Sequence, residues 1–132
     1  MIYLDSNIFV YACLNSEELG EKSRLLLRSI EQGSTEAATS TLSFDEIVWA
    51  VKKYRDMKEA IAAGEAFVNM SELNLIPVDE SVIRFSLDLM RKYSFDPRDS
   101  IHAASAVLAR ADAVVSTDPH FDRLEELPRK QI

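Results

Sequence analysis

The chain has 132 residues, 47% of them hydrophobic, with only three Gly and four Pro; this excludes disorder and fits one domain, residues 1–132, around a single core. Fifteen basic residues against 22 acidic ones give a formal charge of −7, which excludes a broad basic face for gripping nucleic acid but leaves room for a local basic rim. A lone Cys13 rules out an internal disulfide, and no apolar run approaches the roughly 20 residues that span a membrane. No signal peptide is expected ahead of Asp5, and a reducing, cytoplasmic location is the reading that follows. With His102 and His120 the only histidines, a His- or Cys-rich zinc site is excluded as well.

Ile2-Tyr3-Leu4 is a short buried strand that turns abruptly polar at Asp5-Ser6-Asn7, where a helix begins. One or two helices cover about Asn7 to Gln32, stopped by Gly33. Ala37-Ala38-Thr39 suits a crowded central strand. Ser43 opens a helix to about Tyr54, and another runs from Met57 to about Met70. Leu73 to Val78 is a third strand, and Glu80 to Tyr93 is amphipathic, with Val82, Ile83, Leu87 and Met90 in step. Asp96-Pro97 starts a helix to about Arg110, with Ala103, Ala104, Ala106 and Ala109 permitting close packing. Ala113 to Ser116 is the fourth strand, Thr117-Asp118-Pro119 leads a short helix through Leu127, and Lys130 to Ile132 offers a fifth. Strands alternating with helices imply an α/β fold with a parallel sheet of four to five strands.

Four acids sit at strand-to-helix junctions or helix starts. Asp5 follows the first strand. Glu46 lies in an apolar helix, in a Ser43-Phe44-Asp45-Glu46 pattern that also fits a capping box. Asp99 opens the helix that must begin at the carboxyl edge of the sheet, and Asp118 follows the fourth strand. Each alone is explained as a helix cap or a dipole partner. Together, with strand order 3-2-1-4-5, they fall on one edge, beside the switch point where open α/β sheets bind ligands. Two carboxylates about 5 Å apart repel by roughly 3 kcal/mol at an effective dielectric of 20, so such a cluster needs a cation. An all-oxygen set selects Mg²⁺ or Mn²⁺. Asp122 is an alternative fourth acid, read as a solvated residue. His102, one turn after Asp99, is read as an ordinary helix residue. Arg98, Lys52, Lys53 and Arg55 are the candidate phosphate contacts.

Ile2-Tyr3-Leu4-Asp5-Ser6-Asn7, the Thr39-Ser40 segment leading to Glu46, Arg98 to Ala104, and Val114 to Phe121 form an ordered set. With it the chain resembles PIN-domain ribonucleases and is similar in length and layout to the VapC-type toxins of toxin–antitoxin pairs. The resemblance implies a three-layer α/β/α fold and metal-dependent cleavage of single-stranded RNA. It carries the acidic positions onto Asp5, Glu46, Asp99 and Asp118, with Ser6, Asn7 and Thr117 as supporting polar residues. Asp5, Asp99 and Asp118 would hold the metal while Glu46 orients or deprotonates a water. An antitoxin that blocks the site is implied, as is a homodimer. The surface read for the dimer is the helix pair from Ser43 to Met70, with Trp49, Tyr54 and Phe67.

Two other classes stay open on the sequence. A phosphoryl-accepting receiver or aspartate-nucleophile phosphatase also uses Asp after the first strand with Mg²⁺. Here, however, Asn7 replaces the second Asp of the phosphatase, and Asp79 is a weak receiver acceptor. A non-catalytic binding module on the same fold is the third reading.

Overall fold

A computed structural model describes every residue, Met1–Ile132. Strand β1 (Ile2–Leu4) is central, with β2 (Ala37–Ser40) and β3 (Leu73–Ile76) on one side and β4 (Val114–Val115) and β5 (Arg129–Lys130) on the other. All pairings are parallel, and Tyr3 stands opposite both Ala38 and Val114. The order β3-β2-β1-β4-β5 is the one expected, with the switch point between β1 and β4.

Helices α1 (Ser6–Leu14), α2 (Glu18–Glu31), α3 (Leu42–Tyr54) and α4 (Met57–Val68) cover one face, and α5 (Glu80–Tyr93) and α6 (Pro97–Leu108) the other. Side chains alternate along β1, and this divides the interior. Tyr3 joins Val82, Leu89, Ala103, Ala104 and Phe121, whereas Leu4 joins Ile8, Leu27, Ile47 and Phe67. A slip of one residue in register would exchange the two sets, sending Tyr3 into the layer shaped for Leu4 and Leu4 into that shaped for Tyr3. The result is the three-layer α/β/α arrangement that the alternation of elements implies.

Local rules explain most boundaries. The expected helical stretch from Asn7 to Gln32 is two helices, broken where the Asn15 side chain accepts from the Glu17 and Gly20 amides at 2.9 and 3.0 Å. Asp56 caps α4 through the Glu59 amide at 2.8 Å, and Asp79 caps α5 through the Val82 amide at 3.0 Å. Pro97 takes the first turn of α6. The fifth strand is shifted from the expected Lys130–Ile132 to Arg129–Lys130, held where Ser116 N–H donates to Lys130 O at 3.1 Å. A 3-10 turn, Pro119–Arg123, replaces the longer helix read through Leu127.

Two expectations fail for tertiary reasons. The capping box does not form: α3 starts at Leu42 after Thr41, with no side-chain cap, and Glu46 is engaged elsewhere. Phe67 is no surface residue. It is buried with its ring perpendicular to Phe9 at 5.2 Å between centroids, a pair worth about 0.5–1.5 kcal/mol beyond its area.

Candidate active site

Asp5 leaves β1 in extended conformation and precedes α1, but its side chain makes no cap. The carboxylate is therefore free to serve the site. It is 4% exposed and accepts from Ser116 Oγ at 2.6 Å, Asn7 Nδ2 at 3.3 Å and Ser6 Oγ at 3.4 Å. Burial pushes its pKa up, as does Glu46, while His102 and Ser116 pull it down; the net shift is upward. Ser116 was not singled out in the sequence. Its only signal is its place as the small polar residue just after β4, beside the end of β1.

His102 is the largest departure from expectation. It is no ordinary helix residue but lies wholly buried, 1% exposed, on a helix whose Ser100, Ala103, Ala104, Ser105 and Ala106 are buried too. Nδ1 meets the Tyr3 hydroxyl at 2.7 Å, and Nε2 meets Glu46 Oε1 at 2.5 Å and Asp5 Oδ1 at 4.0 Å. One imidazole nitrogen thus ties together the acids of α1's approach and of α3. Burial lowers the His102 pKa, but the Glu46 hydrogen bond and the charges of Asp5, Glu46 and Asp99 outweigh it and raise it. Glu46 moves the opposite way: burial raises it, yet His102, Ser6 and Arg98 carry it below its usual value. A lone His among small residues of a helix buried all round was the available sequence signal.

Asp99 and Asp118 complete the edge. Asp99 sits in the first turn of α6, and its carboxyl is pushed up to about 6 by burial, then by the charges of Asp118 and Asp5. Asp118 does cap, accepting from the His120 amide at 2.9 Å. Its carboxylate also lies 3.1 Å from His120 Nδ1, which is 3.9 Å from Asp99 Oδ2. Ligand atoms of Asp99, Asp118 and His120 all fall within 4.8 Å of one another. The all-oxygen expectation therefore omitted a nitrogen, because Pro119 and the 3-10 turn bring His120 back over Asp118.

The remaining candidates spread around this centre. Arg98 is exposed, 3.9 Å from Asp45, and lines a groove of about 190 Å³ with Ser6, Asn7, Glu46 and Trp49. Lys52 and Lys53 lie exposed in the last turn of α3, farther along the helix than Glu46, and Lys53 Nζ sits 5.0 Å over Trp49 and 5.4 Å over Tyr54. Thr117 bonds Tyr11 at 2.9 Å rather than an acid. Asp122 is taken by the Arg129 fork at 2.8 and 3.0 Å, so it is not a fourth member of the cluster.

Residues 2–127 match the PIN domain. The chain belongs to the PIN domain family. This PIN domain is 29% identical over 128 residues to Ribonuclease VapC7 of Mycobacterium tuberculosis, covering 96% of this chain and 88% of that one. Among solved structures it resembles VapC20 of Mycobacterium tuberculosis, a sarcin-ricin loop cleaving toxin, with TM-score 0.79 and 12% identity over 95% of each chain. It also resembles VapBC2 of Rickettsia felis bound to a promoter DNA fragment, with TM-score 0.76 and 20% identity over 99% of this chain and 98% of that one. No helix of this PIN domain is long and apolar enough to cross a membrane.

Proposed function

We propose that this PIN domain is a divalent-metal-dependent endoribonuclease that cleaves single-stranded RNA, and that it is the toxin of a toxin–antitoxin pair. The observation that carries the reading is the convergence of Asp5, Glu46, Asp99 and Asp118 at one sheet edge, with the Asp99 carboxyl raised to about 6 by burial and its acidic neighbours. The donor set fits Mg²⁺ or Mn²⁺. Asp5, Asp99 and Asp118 would hold the ion, and His120 Nδ1 lies within reach of the same place. A divalent ion there supplies an acidified water and a positive charge beside the scissile phosphate.

The chain's own groups do the rest. Ser116, Ser6 and Asn7 hold the Asp5 carboxylate in one orientation. Glu46 gives one oxygen to His102 and retains lone pairs to align the attacking water and take its proton. Arg98, on the rim of the same groove, contacts the RNA phosphate. Lys52 and Lys53 contribute only to a longer RNA track.

The partner reading rests on the resemblance to VapBC assemblies together with one surface. Phe44, Trp49, Tyr54, Met57, Ile61 and Val68 are exposed on or beside α3 and α4, more apolar surface than a solvated helix pair carries. This surface serves a homodimer, and the acidic pocket accepts an Arg or Lys from an antitoxin. The receiver alternative is disfavoured because its acceptor candidate Asp79 caps α5, and the phosphatase alternative because Asn7 stands where its second Asp would be.

End-labelled single-stranded RNA incubated with the protein and Mn²⁺ tests the reading. Cleavage is expected, abolished by chelator and by Asp99→Asn, with the matching duplex resistant. Cleavage that survives the chelator would overturn it.

A further inference from the structure

We infer that His102, backed by Tyr3, is a positioning residue that anchors Glu46 through the proton on its Nε2. The kinetic consequence rests on the nuclease reading; the anchoring itself does not. The relay begins at the backbone. Ser40 N–H of β2 donates to the Tyr3 hydroxyl at 3.0 Å. That hydroxyl still has its own proton to give, and His102 Nδ1 lies 2.7 Å away. Nδ1 is the nearest acceptor for that proton, and a Glu46 carboxylate, with no proton of its own, can only accept from Nε2. Nδ1 is therefore the acceptor, and the neutral ring carries its proton on Nε2. Nε2–H points at Glu46 Oε1, 2.5 Å away. Protonating the ring adds a proton at Nδ1 and leaves the Nε2–H bond to Glu46 in place, so the anchor does not depend on the charge state.

The arrangement answers a mechanical problem. Glu46 projects from α3, and its side chain is 20% exposed beside an open groove. A free glutamate there samples several rotamers, and each loses the alignment a water-orienting carboxylate needs. His102 cannot swing to follow it, because both Tyr3 and His102 are fully enclosed and the two rings meet edge to face at 5.9 Å. Glu46 is thus tied through α6 to the two central strands of the sheet. The relay joins residues 99 and 56 positions apart, and none of them but Glu46 belongs to the acidic set.

The test uses the full chain, ¹⁵N-labelled at histidine, with two variants that retain bulk in the core. In long-range ¹H–¹⁵N spectra of metal-free protein, His102 should show a protonated Nε2, with an exchange-protected proton that shifts in Glu46→Gln. His102→Gln, whose amide can occupy the Nε2 position, should retain activity within about tenfold of wild type, whereas His102→Ala should lower kcat about 10- to 100-fold. Tyr3→Phe should lower kcat about three- to tenfold, with KM and the Mn²⁺ half-saturation unchanged within about twofold. A neutral Nδ1–H tautomer in wild type would overturn the anchor, whatever the activity. Unchanged kcat in both Tyr3→Phe and His102→Ala would overturn the positioning role. If His102→Ala fails to fold, unchanged kcat in Tyr3→Phe would do so. A wild-type protein that cleaves no RNA, yet shows the Nε2 proton and its Glu46 dependence, would sink the nuclease reading and uphold the anchor.

Discussion

Replacing Asp99 by Asn should stabilise the metal-free protein while abolishing RNA cleavage. The carboxyl is raised from 3.8 to about 6, first by burial and then by Asp118 and Asp5. One pKa unit corresponds to about 1.4 kcal/mol, so the charged form costs the fold up to about 3 kcal/mol above pH 7. The side chain is 23% exposed, and screening brings a realistic figure to about 2 kcal/mol. Removing the charge also forfeits its favourable place at the start of α6, about 0.3–1 kcal/mol. The net gain is about 1–2 kcal/mol, a rise of roughly 3–8 °C in melting temperature for a chain of this size. The pH dependence has a definite sign. Between the unfolded value near 4 and the folded value of about 6, the native state binds the extra proton. Wild-type stability therefore falls as pH rises through about 6, in the same sense as the upward shifts of Asp5 and His102, and Asp99→Asn flattens that fall. Thermal melts in chelator from pH 5 to 8 measure this, and saturating Mn²⁺ should remove most of the wild-type decline. A lower melting temperature for Asp99→Asn at pH 7.5 in chelator would show that the residue's helix-start role dominates and would refute the electrostatic reasoning.

Three further outcomes are expected. His120→Ala should weaken Mn²⁺ binding in calorimetry more than Mg²⁺ binding, because an imidazole nitrogen favours the former; equal losses would place His120 outside the ion's shell. Gly20→Ala should destabilise by about 1–3 kcal/mol, since an added Cβ would sit 1.9 Å from the Asn15 carbonyl oxygen; an unchanged urea midpoint would contradict the close approach of α1 and α2. Trp49→Glu should convert a dimer to monomer by light scattering at tens of micromolar while the monomer stays folded by circular dichroism, as Trp49 is 60% exposed; a wild-type monomer would remove the dimer from the account.

The layout was legible because it depends on short-range patterns. Tyr3 and Leu4 alternate, the small residues of Ala37-Ala38 suit a central strand, and the tight turn after α6 forces Asp99 to the edge that carries Asp5. The supporting shell was not legible, because it depends on depth and on contacts far apart in sequence. The small residues around His102 hint that α6 is buried, but nothing local says that Tyr3, 99 residues away, waits at its Nδ1. The Ser43–Glu46 capping pattern misled for the same reason. Ser43 Oγ is spent on Thr39 Oγ1 at 2.8 Å and Glu46 is drawn to His102, so tertiary partners outbid a local rule. His120 escaped because a short 3-10 turn, Pro119–Arg123, and not the longer helix expected, decides where its ring lies.

At the centre of the proposed function stands one chemical claim: that water aligned by Glu46, and not the RNA's own 2′-hydroxyl, would attack the phosphorus beside Asp5, Asp99 and Asp118. Mapping the ends of the fragments released from a single-stranded RNA in Mn²⁺ tests it most directly. Terminal phosphomonoesters, appearing with no cyclic precursor and lost in Glu46→Gln, are the expected result. Fragments ending in 2′,3′-cyclic phosphate, or cleavage that persists in Glu46→Gln, would contradict it.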